Sequence, residues 1–293
     1  MERGKLRKKI KNMLNSTGMK YIEASGLFDF IIKSKNNVIF VKLIANIDSI
    51  TENTAKKLIN ISYSLNSYSI VVGSHTRVGY LKDEIIYKRF GVPCMNIKTF
   101  EEFIKGNIPN VESFRGGEFV YIDPIKLRNA RMKRGFTQEE LADIIGVSKK
   151  CIYEHEKMLK KAKVEIANMI SNALNSDVIS TPEIKTNYSS SIEPKATFTR
   201  FVYKYFSSIG IDVNYVDGVS FNIVAKNEQT VLTYAQERIK NYKVEILRNI
   251  SNFLKKPALV ISKDPVDVEI PNISKRELED LNKKKFKKIV KSE

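Results

Sequence analysis

Three features of the sequence predict a mixed α/β chain with a wholly helical centre. Between about residues 6 and 110, amphipathic helical stretches alternate with short apolar runs. From Asp123 to about Asp177 the apolar spacing is helical throughout. Between about Thr197 and Pro271 the opening pattern returns. Apolar residues three or four apart line one face of a helix, and short unbroken apolar runs suit buried strands. The order therefore implies two sheet-bearing segments around a helical one.

The first segment opens with a helix whose apolar positions are Leu6, Ile10, Met13 and Leu14, stopped by Gly18. Two strands follow, FDFIIKS and NVIFVKLI, joined by a Lys-Asn-Asn turn that suits a hairpin. A helix is expected from about Glu52 to Leu65. The run YSIVVGS is continuously apolar and ends at glycine, as a strand buried on both faces does. A further helix and strand are expected between about Lys82 and Met95, and a short helix at TFEEFIKG closes the unit.

In the centre, Asp123-Pro124 starts a helix with proline at its first position. The stretch STPEIKTNYSSSIEPKA, rich in serine and proline, reads as a linker. Beyond it, FVYKYFSSIGIDV follows the rhythm of the opening helix, with Gly210 where Gly18 stood. SFNIVAKNEQTVLTY follows LFDFIIKSKNNVIFVK, aligning Phe221 with Phe28, Lys226 with Lys33 and Val231 with Val38. A shared glycine, phenylalanine and lysine at one offset point to internal duplication. The tail from 273 to 293 carries a capping signal, Ser274 with Glu277, and a basic end. A solvated surface helix is the expectation for it, with a phosphate-gripping arm as the alternative.

The chain has 293 residues and a formal net charge of +17, an excess that favours a polyanionic partner. No apolar run reaches eighteen residues, and the basic N-terminus lacks the apolar core of a secretory signal, so a cytoplasmic protein without a membrane span is expected. Two cysteines and two histidines provide neither a disulfide framework nor a zinc-ligand set, so no cofactor and no metal are expected.

The stretch GFTQEELADIIGVSKKCIYEHEK meets the narrow demands of two steeply crossing helices. Ala142 is small where they touch, and Gly146 tolerates a left-handed turn. Leu141, Ile145, Val147 and Ile152 are apolar where burial requires it. Thr137 with Glu140 forms a capping box, and Ser148 caps the next helix. With the preceding LRNARMKRGFTQEELA, these residues resemble the Xre-type helix-turn-helix regulators, which include the lambda and Cro repressors. The resemblance implies that Gln138 contacts phosphate and that the helix after Ser148 enters the major groove. Ser148, Lys149, Lys150, Tyr153, Glu154 and Lys157 are its candidate DNA-contacting residues, with Arg128 and Arg131 on the preceding basic helix. His155 stands at a usually apolar position and is expected to be partly buried and hydrogen-bonded. Cys151 reads as a packing residue.

The first segment resembles the PD-(D/E)xK nuclease fold, particularly archaeal Holliday-junction-resolvase-like units. That fold carries an aspartate on one hairpin strand and acid-x-lysine on the next. Asp29 and Lys42 match, but Phe40 stands where the acid belongs, and Glu23 is a candidate for the acid that such folds sometimes contribute nearby. The resemblance thus implies a vestigial site. In the later segment Asn222 and Ala235 take the two places.

These readings give a combined α/β and all-α fold. Two nuclease-like (restriction-endonuclease-like) α/β domains, related by internal duplication, flank a lambda-repressor-like helix-turn-helix domain. Expected boundaries are 1–115, 123–178, a linker at 179–196, 197–272 and the tail. The order resembles archaeal transcriptional regulators with a helix-turn-helix after an α/β domain. Double-stranded DNA is the expected partner, a homodimer the expected assembly, and the protein is not expected to be an enzyme.

Overall fold

The computed structural model describes residues 3–34, 37–114, 116–184 and 192–291. In chain order the first elements are α1 (Arg3–Ser16), β1 (Lys20–Glu23), β2 (Phe30–Ser34), β3 (Asn37–Leu43), α2 (Glu52–Leu65) and β4 (Tyr68–Val72). Next come β5 (Ile85–Arg89), β6 (Val92–Met95), α3 (Ile97–Lys105), β7 (Val111–Phe114) and β8 (Gly117–Ile122). The centre is α4 (Pro124–Lys133), α5 (Gln138–Ile145), α6 (Lys149–Lys157), β9 (Lys160–Lys163), α7 (Val164–Leu174) and β10 (Ile179–Ser180). The last part begins with α8 (Thr197–Ser208), β11 (Asp212–Tyr215), β12 (Ile223–Lys226), β13 (Thr230–Ala235) and α9 (Asn241–Leu254). It ends with β14 (Ala258–Ser262), β15 (Asn272–Ser274), α10 (Lys275–Glu279) and α11 (Lys283–Lys291).

The chain divides into two compact units that do not follow sequence order. One comprises Met1–Thr17, Leu43–Ser49 and Ile70–Ile184, the other Gly18–Lys42, Ile50–Ser69 and Lys185–Glu293.

In the first unit, α1 packs by Leu6, Ile10, Met13 and Leu14, the four apolar positions read from its sequence. The helix expected after Lys82 is instead the strand β5, hairpinned to β6. Phe90 and Gly91 both take positive φ, 49° and 81°, as a tight hairpin turn requires. Beyond α3, β7 and β8 form a second hairpin, with Glu112 opposite Phe119. The helical periodicity expected through Asp177 is broken at β9, which pairs antiparallel with β8, Val120 facing Ala162. β10 pairs with β8 as well, so the expected linker begins as a strand. Residues 185–191 of that linker, and Lys35 and Asn36 of the first hairpin turn, lie outside the described residues.

In the second unit, β1, β2 and β3 form an antiparallel meander, and so do β11, β12 and β13. Neither β1 nor β11 was expected as a strand. The two meanders share one register. Lys33 faces Lys20 and Val38, while Lys226 faces Asp212 and Thr230. Asp29 donates its amide to Val41 O at 2.7 Å, and Asn222 donates to Thr233 O at 2.9 Å. Register thus aligns Val38 with Thr230 and Lys42 with Tyr234, one residue from the expected Val231 and Ala235. The turn between the second and third strands is one residue shorter in the later meander, Lys226 to Thr230 against Lys33 to Val38, which shifts the offset. The second sheet continues with β14 and β15, both parallel to their neighbours.

The tail is not the solvated helix expected. Leu278, Leu281 and Phe286 enter the core of the second sheet, and Phe286 meets Phe206 edge-to-face at 5.3 Å. Within this unit the two meanders also make reciprocal contacts. Lys33 lies over the Phe253 ring at 5.1 Å, and Lys226 over the Tyr63 ring at 5.5 Å. Leu27 donates its amide to Gly218 O at 3.3 Å, and Lys57 pairs with Asp217 at 2.7 Å.

Candidate nucleic-acid interface

The helical centre is built by caps before it is built by packing. Asp123 accepts from the amides of Ile125 and Lys126, with Pro124 behind it in the first turn of α4. Thr137 accepts from Glu140 N at 3.1 Å, and Glu140 returns a bond from Thr137 N at 2.7 Å. α5 ends at Gly146, whose φ of 71° few residues with a Cβ adopt. Ser148 Oγ then accepts from Cys151 N at 3.3 Å and starts α6. Leu127, Leu141, Ala142, Ile145 and Ile152 close over Ala167, Ile170 and Leu174 of α7.

One buried cluster locks α6 in place. Arg131 donates to both carboxylate oxygens of Glu156, Nε at 2.5 Å and Nη2 at 3.0 Å, and its Nη1 donates to Phe136 O at 2.6 Å. Gln138 Nε2 donates to Glu156 Oε2 at 2.7 Å. The Arg131 and Glu156 side chains are only 12% and 6% exposed. Burial alone would push the Glu156 carboxyl up, but the bonds from Arg131 and Gln138 outweigh it and hold it below the ordinary range. These contacts give two of the expected DNA-contacting residues a role inside the domain. Arg131 is spent inside the domain, because a guanidinium forked onto one carboxylate has little left for phosphate. Gln138 gives an amide hydrogen to Glu156, so its side chain orients α5 against α6 as much as it faces outward.

The solvent-facing side of α6 carries the other candidates. At about 100° per residue, Lys149, Tyr153, Lys157 and Lys150 fall within one roughly 100° sector. All four are exposed. Lys149 reaches Glu139 at 3.0 Å, a surface pair that another anion can displace. Lys157 sits 5.6 Å from the Tyr153 ring centroid. Glu154 does not join the sector. It pairs with Lys160 of β9 at 2.6 Å, and that bond holds its carboxyl low. This pair ties α6 to β9. Ser148 remains exposed but uses its hydroxyl as the cap. Arg128 is exposed on α4.

His155 is buried, and its Nδ1 has no hydrogen-bond partner, contrary to the hydrogen-bonded role expected. Burial lowers its pKa, and the Lys160 charge adds to this. Cys151 is half-buried, with burial and then Glu154 raising its thiol pKa. Sequence reasoning missed β9, which replaces the usual glycine exit from the recognition helix. Its signal was the alternation in Lys160-Lys161-Ala162-Lys163, where only Ala162 is buried.

At the nuclease-like position, Asp29 is fully buried and its Oδ2 lies 3.9 Å from Lys42 Nζ. Lys42 Nζ donates to Gly26 O at 2.7 Å. Phe40 fills the place of the second acid, buried against Phe28 with ring centroids 4.9 Å apart. A divalent metal of this fold needs anionic oxygen there, and an aromatic ring supplies none. The residues do not fit the ion. In the later meander, Asn222 bonds both ways to the Ala235 backbone, at 2.7 and 2.8 Å. Glu23 is exposed on β1.

Among the described residues no helix is long and apolar enough to cross a membrane. Residues 3–109 match the description "PD-(D/E)XK superfamily domain", and residues 127–179 match "Helix-turn-helix". The chain is 25% identical to a "Putative HTH-type transcriptional regulatory protein" of Thermococcus gammatolerans, over 96% of this chain and 93% of that one. It is 29% identical to a protein of the same name from Pyrococcus furiosus, covering 78% and 75% of the two chains. A third so named, from Methanococcus maripaludis, is 34% identical over 52% of this chain and 47% of its own. No solved structure matches. The chain therefore carries a PD-(D/E)XK superfamily domain followed by a helix-turn-helix, and along most of its length it is similar to archaeal proteins named HTH-type transcriptional regulators.

Proposed function

We propose that this protein is a sequence-specific double-stranded-DNA-binding transcriptional regulator, acting as a cytoplasmic homodimer on a palindromic operator, with non-catalytic α/β flanks. The observation that carries this reading is the exposed sector of Lys149, Lys150, Tyr153 and Lys157 on a helix locked by the Arg131–Glu156–Gln138 cluster. Three cations and one aromatic on a rigid helix suit a major groove, where lysine donates to guanine O6 and N7. The names of the relatives point the same way. One recognition helix reads only a few base pairs, so a two-fold partner extends the site to a useful length.

The domain boundaries we assign are 1–115, 123–178, 197–272 and the 273–293 tail, joined by 179–196. The common register of the two meanders supports descent of the α/β domains from one duplicated unit. The test is Lys149→Ala with Lys150→Ala. Specific affinity is expected to fall at least about ten-fold and the log–log salt slope to drop by about 2, with the melting temperature unchanged. Unchanged operator affinity would refute the groove assignment.

A nuclease reading draws on the PD-(D/E)XK match and on Asp29 beside Lys42. Cleavage of branched or linear DNA in Mg²⁺ or Mn²⁺, abolished by Asp29→Ala, would establish it and overturn the non-catalytic reading. No cleavage is expected, because Phe40 removes a ligand that the ion needs.

A further inference from the structure

Helix α11 carries more positive charge than its fold needs. Its sequence, KKKFKKIVK, is mostly lysine and contains no acid. Lys283, Lys284 and Lys285 fill its first turn, at the positive end of the helix dipole, where cations are unfavourable. Lys284 and Lys288 stand one turn apart, a like-charge spacing that weakens a helix. What holds α11 is its other face. Phe286 is buried against Phe206, and Ile289 packs on the same core. Asn282 caps the start, its Oδ1 accepting from Lys285 N at 3.0 Å.

That packing fixes where the charges stand. At about 100° per residue, Lys284, Lys287 and Lys288 fall within one roughly 100° sector, centred opposite Phe286 and Ile289. Lys284 and Lys288 are exposed. Lys287 pairs with Glu228 of the turn between β12 and β13. Lys283 lies beside Gly210 at the end of α8, and Lys285 donates to Asp280 O at 3.1 Å. A basic row is thus held outward by the core behind it, although local helix physics disfavours it.

We infer that this face of α11 is a second, sequence-independent contact for the phosphate backbone of duplex DNA. A row of like charges is relieved by a polyanion, and each phosphate it neutralises releases counterions. The rival polyanion is an anionic membrane. A helix that lies in a membrane surface buries its apolar face in the lipid, whereas Phe286 and Ile289 are committed to the protein core. The choice of DNA rests on the proposed function, because the same chain carries the helix-turn-helix. Phosphate contacts carry no base information, so this face adds affinity to every sequence alike.

The test is a fluorescence-anisotropy titration of the full chain on a random-sequence duplex over a series of salt concentrations. Lys284→Gln with Lys288→Gln is compared with the wild type and with a charge-matched control, Lys195→Gln with Lys263→Gln, two exposed lysines elsewhere in the same unit. The α11 variant is expected to lose at least about five-fold in affinity at low salt and to lower the log–log salt slope by about 2. The control should change both by clearly less. Unchanged affinity and slope in the α11 variant overturn the inference, and so does an equal loss in the control. Vesicles of phosphatidylserine and phosphatidylcholine form a second arm, in which no binding is expected. Vesicle binding that the α11 variant loses, while its DNA binding holds, assigns the face to a membrane and overturns the inference. The groove assignment fails separately. Lys149→Ala with Lys150→Ala should reduce the preference for operator over random duplex, whereas the α11 variant should weaken both equally and leave that preference intact. The substituted lysines are exposed, so matching melting curves are expected.

Discussion

Single side chains decide whether α6 is a rigid reading head. Glu156 is nearly enclosed and holds three donors from Arg131 and Gln138. Glu156→Gln would leave the Arg131 guanidinium without its counter-charge, and removing one partner of a buried pair is far costlier than the pair is worth. A loss of about 3 kcal/mol is expected in urea unfolding of this domain. His155 sets a separate acid limit. Its folded pKa lies below its unfolded value because burial disfavours the charged ring. Between those two pKa values the unfolded chain binds the extra proton, so stability is full above about pH 6.5 and falls as pH drops through the window. His155→Leu is expected to flatten the melting temperature between about pH 7 and pH 5, measured by thermal scans. A slope that persists in this variant would place its source elsewhere.

Among the elements, β9 gives α6 its orientation. Helix α6 runs almost directly into a strand that pairs with β8, so it is tied to the sheet of its unit. A buried carboxylate reinforces the joint. Glu112 of β7 pairs with Lys88 of β5 at 2.6 Å and with Lys161 of β9 at 2.9 Å. Lys161 also lies over the Phe114 ring, 3.1 Å from its centroid. Both lysines keep some solvent, which lowers the cost of losing their partner. Glu112→Ala is expected to cost about 2 kcal/mol and to weaken operator binding, because the strand that aims α6 loses its anchor. Urea unfolding and a gel-shift titration measure the two effects. If stability falls while affinity holds, the joint does not aim the helix.

Across the chain, the second unit brings its two similar halves together, a lysine of each meander meeting a helix of the other half. Lys33 and Lys226, at matching register, each cover an aromatic from the opposite half, Phe253 and Tyr63. Both lysines therefore meet their rings within one chain. The closest approach falls at two glycines. Gly26 has φ of 100°, and a Cβ there would lie 3.1 Å from Gly218 O. Gly26→Ala combines a strained backbone with backbone-to-backbone crowding. A destabilisation of about 1–2 kcal/mol is expected, read from the denaturant midpoint of the second unit.

The helix-turn-helix was legible from sequence because each of its constraints is local. A cap lies three residues from its partner, the turn glycine sits between two apolar runs, and the small residue falls at a fixed step from both. The first hairpin and the apolar face of α1 were legible for the same reason: periodicity is a property of neighbours along the chain. Phe40 in the acid position was equally plain, since a missing ligand needs no geometry to be noticed. Other features depended on partners distant in sequence. Strand β9 exists because β8 offers it an edge, and α11 is held to the core by Phe286, which meets Phe206 some eighty residues away. The charges of Arg131 and Glu154 are visible in the letters, while the opposite charges they pair with, Glu156 and Lys160, are found only in the fold. Register corrected the pairing of the two meanders by one residue, since a turn one residue shorter moves every later match and only hydrogen bonds reveal where it falls. Local chemistry is written along the chain; which polar group meets which is settled when the folded chain brings distant segments within a few ångströms.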